Sequence, residues 1–295
     1  MGSLVGASVS IVAGNDDGWA EMSIRTFYSD LKAAGYDVLL SAPAEPQSSV
    51  GDLDLNPIPL VFDTCQFDSC PKGSPAIGHN ETDPKMQYVH STPVAAMRIG
   101  IGNFTNGGPD LAVTGPNTMP NWGLAGILSG TEQAAAYAAK HGIPALAFSG
   151  WGKSTAWNKK PPSHDLVYAA AATNFTSTIV DQGKPYLPDG ILLNINYGPV
   201  TDYCNSSEAF KYVMARQYPA LPIVTKHDVS TCGRDRLPLD VDVIPKDLLD
   251  KAAQKDIHCL ATVSVIDART VTDANATMQK AVMDKLDGML TCLTN

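Results

Sequence analysis

Asn15-Asp16-Asp17-Gly18 stands directly after the apolar run Val9-Ser10-Ile11-Val12-Ala13. Two adjacent carboxylates repel each other unless a cation or a shared proton holds them. An all-oxygen pair of this kind suits one hard divalent ion, Mg²⁺ or Mn²⁺, with Ca²⁺ also within its chemistry. All four residues also favour a plain turn, so the chemistry hangs on their position. A β-branched run ending in a polar turn reads as a buried parallel strand, and ligands of open α/β sheets collect at the carboxyl ends of such strands.

A second segment, Gly115-Pro116-Asn117-Thr118-Met119-Pro120-Asn121-Trp122-Gly123, also follows a strand-like run, and Ser129-Gly130-Thr131 behind it opens a helix. Backbone N–H groups at a helix N-terminus, with hydroxyls beside them, form a seat for phosphate or an oxyanion. N-capping alone also accounts for Ser129 or Thr131. Met119 and Trp122 add apolar and aromatic surface that suits a hydrophobic ligand better than a phosphate group. Other motifs are missing. Gly100-Ile101-Gly102 lacks the third glycine of a dinucleotide fingerprint, and the sequence holds no Gly-x-Ser-x-Gly elbow, phosphate loop or His-Glu-x-x-His helix. His79, His90, His141, His164, His227 and His258 form no local ligand cluster.

These segments require a sheet to position them. Ile24, Phe27, Tyr28 and Leu31 give an amphipathic helix over 20–34, closed by Gly35, and Tyr36–Ala42 gives a second strand. That β-α-β unit implies parallel pairing with a right-handed crossover. Pro43–Pro84 reads as a long irregular stretch. Thr92 as N-cap and Pro93 at the first helical position start a helix to about Ile101. Strands follow at 111–115, 144–149 and 191–196, and helices at 131–141 and 166–180. Beyond Gly198 the pattern changes: Phe210–Val224 predicts a hairpin arm, Cys259–Ile266 a strand, and Ala274–Leu290 a terminal helix. The expected architecture is α/β, a Rossmann-like, doubly wound, mostly parallel sheet. We read 1–295 as one domain, with a core at about 8–197 and a C-terminal extension at about 198–295.

Composition narrows the partners. A net charge of −9 with scattered positive residues argues against a nucleic-acid polymer. The apolar stretches are short and interrupted, which argues against a membrane span. Six cysteines and sequons at Asn80, Asn103, Asn174, Asn205 and Asn275 point to an extracellular, disulfide-bonded glycoprotein. Sequential pairing is expected, Cys65 with Cys70, Cys204 with Cys232, and Cys259 with Cys292. Met1-Gly2-Ser3-Leu4-Val5-Gly6 lacks a basic start and an apolar core, so we expect it to stand in place of a removed secretory leader.

Taken in order, these segments make the chain similar to the SurE-type survival-protein family of metal-dependent nucleotidases and acid phosphatases, in particular its secreted fungal branch. The resemblance covers most of 8–197. It is carried by Asn15-Asp16-Asp17-Gly18-Trp19-Ala20, Ala42-Pro43 with Gln47-Ser48, Ser91-Thr92-Pro93, Pro109-Asp110-Leu111, Gly115-Pro116-Asn117 with Asn121 and Gly123, Ser129-Gly130-Thr131, and Gly142-Ile143-Pro144-Ala145. It implies a divalent ion held by Asp16, Asp17, Ser48 (with Ser49 as fallback) and Asn117, the two aspartates being the catalytic pair. It further implies phosphate oxygens held by Asn15, Asn121, Ser129, Gly130 and Thr131, a small phosphate ester as substrate, and a homodimer built through the C-terminal arm and helix. The chain departs from the family pattern at Gly14, at Val94-Ala95-Ala96, at Met119 and Trp122, and at Glu132. A side chain at 119 and a carboxylate at 132 crowd an anion seat and oppose phosphate charge. The alternative to a phosphatase is therefore the same scaffold recruited to other chemistry on a hydrophobic small molecule.

Overall fold

The computed structural model describes residues 8–105, 107–221, 223, 225–244 and 259–293. Its frame is one ten-stranded sheet in the order β10-β9-β7-β6-β5-β1-β2-β4-β3, with β8 also paired to β9. The strands are β1 Ser10–Gly14, β2 Asp37–Pro43, β3 Ile77–His79, β4 Met86–Val89, β5 Leu111–Asn117, β6 Ala145–Ser149, β7 Ile191–Tyr197, β8 Phe210–Ala215, β9 Cys259–Asp267 and β10 Thr272–Asp273. From β4 through β7 all neighbouring pairs are parallel. Strands buried on both faces need near-continuous apolar sequence, and β1, β5 and β6 have it.

Helices cover both faces. On one, α1 (Met22–Ala33) packs against α5 (Ser163–Asp181); on the other, α2 (Pro93–Gly102) packs against α4 (Gly130–Lys140). Ile24, Phe27, Tyr28 and Leu31 of α1 are all buried, as their spacing requires. Thr92 caps α2, its hydroxyl accepting the Ala95 N–H. The chain first builds outward from β1 through β2 to β4 and then returns to the other side of β1 with β5. The β1/β5 boundary is therefore the topological switch point, where crevices of such sheets open.

Three expectations need correction. The 43–84 stretch is not wholly irregular: it contains β3, and β4 follows it, adding an edge pair beyond β2. The segment from Phe210 does not form a hairpin arm, because β8 lies parallel to β9 inside the central sheet. A strand has two edges; β7 takes one edge of β9 in antiparallel pairing, so β8 and β10 share the other. The sheet therefore continues well past residue 197 into the extension. The weak alternation at 210–215 is that of a covered strand, with only Lys211 exposed.

The cysteines follow from this. Cys65–Cys70 forms as expected, but the other bridges are Cys204–Cys259 and Cys232–Cys292. The insertion of β9 beside β8 brings Cys259 to 5.5 Å, Cα to Cα, from Cys204. Sequential pairing fails because sequence neighbours are separated here by that strand pairing. The terminal helix is shorter than expected, Ala276–Lys285, and Asn275 caps it by accepting from Thr277 and Met278 N–H.

Candidate active site at the β1/β5 switch point

The turn after β1 is closed by Asn15, whose side-chain amide donates to Gly18 O at 2.9 Å while its oxygen accepts the Gly18 N–H at 3.2 Å. That Asx-type clamp is turn chemistry, and it delivers both carboxylates to the sheet edge. Asp16 turns towards α4: its Oδ1 accepts from Thr131 Oγ1 at 2.6 Å, and the backbone N–H groups of Gly130 and Thr131 also favour its charge. Asp17 turns towards the β5 loop, with Oδ2 accepting Thr118 N–H at 3.0 Å and Oδ1 facing Thr118 Oγ1 at 3.2 Å. The peptide that follows Asn117 is thus bonded to Asp17, which brings the two expected ligand loops together.

Two glycines make this approach possible. A Cβ at Gly130 would stand 2.8 Å from Asp16 Cβ and 2.6 Å from Pro93 Cγ, so only glycine lets α4 close on β1 and α2. Gly115 has φ +89°, and a Cβ there would meet Phe148 O at 2.1 Å. It sits where the β5–β6 register shifts between Thr114 and Asn117, a bulge that re-aims the strand end.

Burial pushes the Asp16 carboxyl above its ordinary range. Burial, followed by the charge of Asp16, pushes Asp17 up to about 8. Glu21, at the start of α1, is raised by burial and accepts from Ser154 Oγ and Gln66 Nε2 at 2.7 and 3.1 Å, as well as from Thr155 N–H. Asp165 is pushed up to about 7 by burial and by Glu21. Among the described residues, neither Asp16 nor Asp17 has an ion pair with a basic side chain. Also among them, no group of three or more His, Cys, Asp or Glu gathers as a metal cluster. Such a group is not needed by a ligand set of two carboxylates, an amide and a hydroxyl. Adjacent carboxylates without a basic partner among the described residues, one buried and one partly buried, with neutral oxygen donors nearby, fit a hard divalent cation.

The other expected residues divide. Ser48 and Ser49 are exposed on the loop after β2, which is tied to the turn by Gln47 N–H donating to Asp16 O at 2.7 Å. Asn117 is buried and its amide donates to Met119 O at 2.7 Å. Ser129 caps α4, accepting Glu132 N–H at 3.1 Å, which leaves its own proton free to donate. Asn121 is anchored in a buried polar network: its amide donates to Ser149 Oγ at 2.9 Å, its N–H to Asn196 Oδ1 at 2.7 Å, and its carbonyl accepts from Asn194 at 2.6 Å. Met119 is exposed, and Trp122 packs edge-on against Trp151 with centroids 5.5 Å apart.

Glu132 does not crowd the seat as the sequence suggested. Its carboxyl is fully buried, accepts from Gln217 Nε2 at 2.8 and 3.1 Å, and is pushed up to about 8 by burial. A carboxyl that is mostly protonated at neutral pH opposes phosphate charge weakly. Sequence reasoning missed Thr118, Glu21, Gln217 and Asp240. Asp240, pushed up to about 7 by burial, accepts Gly123 N–H at 3.3 Å. The readable signal for the network was Asn194 and Asn196, two amides at strand spacing within an otherwise apolar run.

The fold and this site define a Rossmann-like α/β protein with a pair of carboxylates at its switch point. The sequence profile described as "Survival protein SurE" matches residues 11–219, and the chain belongs to that family. It is similar to an acid phosphatase of Yarrowia lipolytica, 38% identical over 210 residues that make up 66% of this chain and 58% of that protein. It is also similar to the 5'-nucleotidase SurE of Maridesulfovibrio salexigens, 33% identical over 48% of this chain and 51% of that one. The match spans little more than half the length of either relative. The SurE protein of Aquifex aeolicus superposes with a TM-score of 0.60 over 94% of this chain and 100% of that one, at 18% identity, and so shares the fold. No relative's name supports the recruited-scaffold alternative.

Proposed function

We propose that the chain is a divalent-metal-dependent phosphomonoesterase acting on nucleotides or other small phosphate esters. The observation that carries this reading is the Asp16/Asp17 pair at the switch point, with Asp16 buried and clasped by the N-terminus of α4, Asp17 partly buried and bonded to the β5 loop, and neither paired with a basic side chain among the described residues. The names of the relatives, acid phosphatase and 5'-nucleotidase, support it.

In this reading Asp16, Asp17, Asn117 and Ser48 hold the ion. Mg²⁺ or Mn²⁺ bound there supplies Lewis-acid polarisation of a phosphoryl oxygen and acidification of water. The chain's own residues do the rest. Thr131 and Thr118 fix the two carboxylates by the hydrogen bonds described above. Ser129, its oxygen already engaged by the Glu132 N–H, turns its proton to a phosphate oxygen, beside the N–H groups that open α4. Asn15 and Asn121 keep the two loops in register around the phosphate. Three disulfides and four exposed sequon asparagines, Asn103, Asn174, Asn205 and Asn275, support an extracellular glycoprotein. We also propose a homodimer.

The test is a panel of nucleoside monophosphates, sugar phosphates and aryl phosphates assayed with Mg²⁺ and with Mn²⁺. Turnover that disappears in Asp17→Asn and on chelation is expected. A wild-type protein that hydrolyses none of them overturns the reading.

A further inference from the structure

Six large apolar side chains lie exposed on segments near the acidic turn: Leu53, Leu55, Met119, Leu124, Ile127 and Leu128, each between 48% and 71% accessible. They belong to three short segments that the fold ties to the acidic pair. Leu124 precedes the short helix α3 (Ala125–Leu128), and Ile127 and Leu128 form its end, which runs directly into Ser129-Gly130-Thr131. Leu53 and Leu55 lie on the loop after β2, joined to α3 by Gly51 N–H donating to Leu128 O at 3.1 Å. The same loop is held over the start of α2, where Thr92 Oγ1 donates to Leu53 O and Ser91 Oγ to Leu55 O at 2.8 Å. Pro93 and Asp16 both meet Gly130, so this loop is held over the same helix start that packs beside Asp16. Met119 stands on the β5 loop, two residues beyond Asn117 and next to the Thr118 that binds Asp17.

Scattered single apolar residues on a surface need no explanation, but a set carried on segments bonded to one acidic turn marks a binding surface. An acidic pair and a helix N-terminus at the centre, with leucine, isoleucine and methionine outside, match a molecule with a compact charged head and an apolar body. A sugar or a polar alcohol would leave these side chains in contact with water.

Resting on the phosphomonoesterase reading, we infer that the preferred substrates are amphiphilic phosphate monoesters, whose alcohol carries an alkyl or aryl body that lies on the α3 and β2-loop rim. The bond broken is the ester P–O bond: water supplies the hydroxyl to phosphorus, and the apolar alcohol leaves with a proton.

The experiment compares kcat/KM for n-octyl phosphate, kept below its micellar concentration, with that for glycerol 3-phosphate. It uses the wild type and the variant Leu124→Ser/Ile127→Ser/Leu128→Ser. We expect the wild type to favour the octyl ester by tenfold or more, mainly through KM, and the variant to lose that preference. Equal efficiency on the two esters in the wild type overturns the inference, as does a preference that survives in a folded variant. A wild-type dimer that dissociates in the variant with its preference unchanged also overturns it, and assigns the patch to a second copy of the chain. Because a triple variant can fail to fold, Leu53→Ser is measured alongside and should lower the preference part of the way. Calorimetry with n-octylphosphonate and methylphosphonate separates the two levels of argument. Tighter binding of the octyl compound without turnover of any ester retains the rim assignment and removes the phosphatase reading. Equal binding, with turnover intact, removes only the rim.

Discussion

Consecutive carboxylates buried side by side are an unstable arrangement that a single cation converts into a stable one. Asp17→Asn removes one of few anionic donors from an all-oxygen set, so divalent-ion uptake should drop below detection in calorimetry, and turnover with it. Ion uptake equal to wild type would reduce the pair to turn structure. The second residue-scale expectation concerns pH and uses carboxyls outside the ligand set. Glu132 and Asp240 are buried and hold their protons up to about 8 and about 7, whereas an unfolded chain releases them near the ordinary values of 4.5 and 3.8. Between about pH 4 and pH 8 the folded chain therefore binds more protons than the unfolded one. The stability these two groups contribute is fully present at the acid end of that window and is lost as pH rises through it. Thermal melts should show Tm declining from pH 5 to pH 8, and Glu132→Gln should flatten the decline by removing one of the two groups. A Tm that rises over this range would contradict the assignment.

At the scale of elements, the first turn of α4 and the chain leaving β8 are joined by one contact, Gln217 to Glu132, and the same Gln217 Nε2 lies 3.4 Å from Gly123 O. Gln217→Ala leaves a buried carboxyl without its partner. The expected cost is about 1–3 kcal/mol in denaturant unfolding, accompanied by a higher KM as the 117–123 loop loosens. A change in stability with KM unmoved would confine Gln217 to a structural role. The disulfides offer a separate check: peptide mapping without reduction should recover Cys204 linked to Cys259 and Cys232 linked to Cys292. The sequence made the regular elements legible wherever one force decided them. The 3.6-residue stripe of α1 and the apolar runs of β1, β5 and β6 have a single reading. The pairing of Phe210–Ala215 did not, because a short covered strand at the far side of a sheet takes its partner from tertiary contact rather than from its own alternation. The disulfides inherited that error. Glu132 was misplaced for a related reason: its direction depends on Gln217, 85 residues away.

For the whole molecule, the switch point and the two loops that meet there were legible because topology alone forces ligand loops to the carboxyl ends of β1 and β5. The buried support of Asn121 was only hinted at by Asn194 and Asn196, since the partners it draws from β6 and the β5 loop carry no local pattern. The proposed compartment and assembly are open to measurement together. Material from its native host should carry glycans at exposed sequons, contain no free thiol, and elute at twice the chain mass in light-scattering chromatography; six free thiols would refute the extracellular reading. The position of β9 has a further bearing on how the chain is made. Its far end, Asp267, is synthesised 70 residues after Tyr197 closes β7 (267 minus 197). Throughout that interval β7 presents a naked hydrogen-bonding edge, the kind of template on which nascent chains mispair with one another. The nascent chain thus carries most of the sheet before the strand that completes β7 is made. The Cys204–Cys259 bridge, which links the approach to β8 with the first residue of β9, is placed to secure that late arrival once it forms.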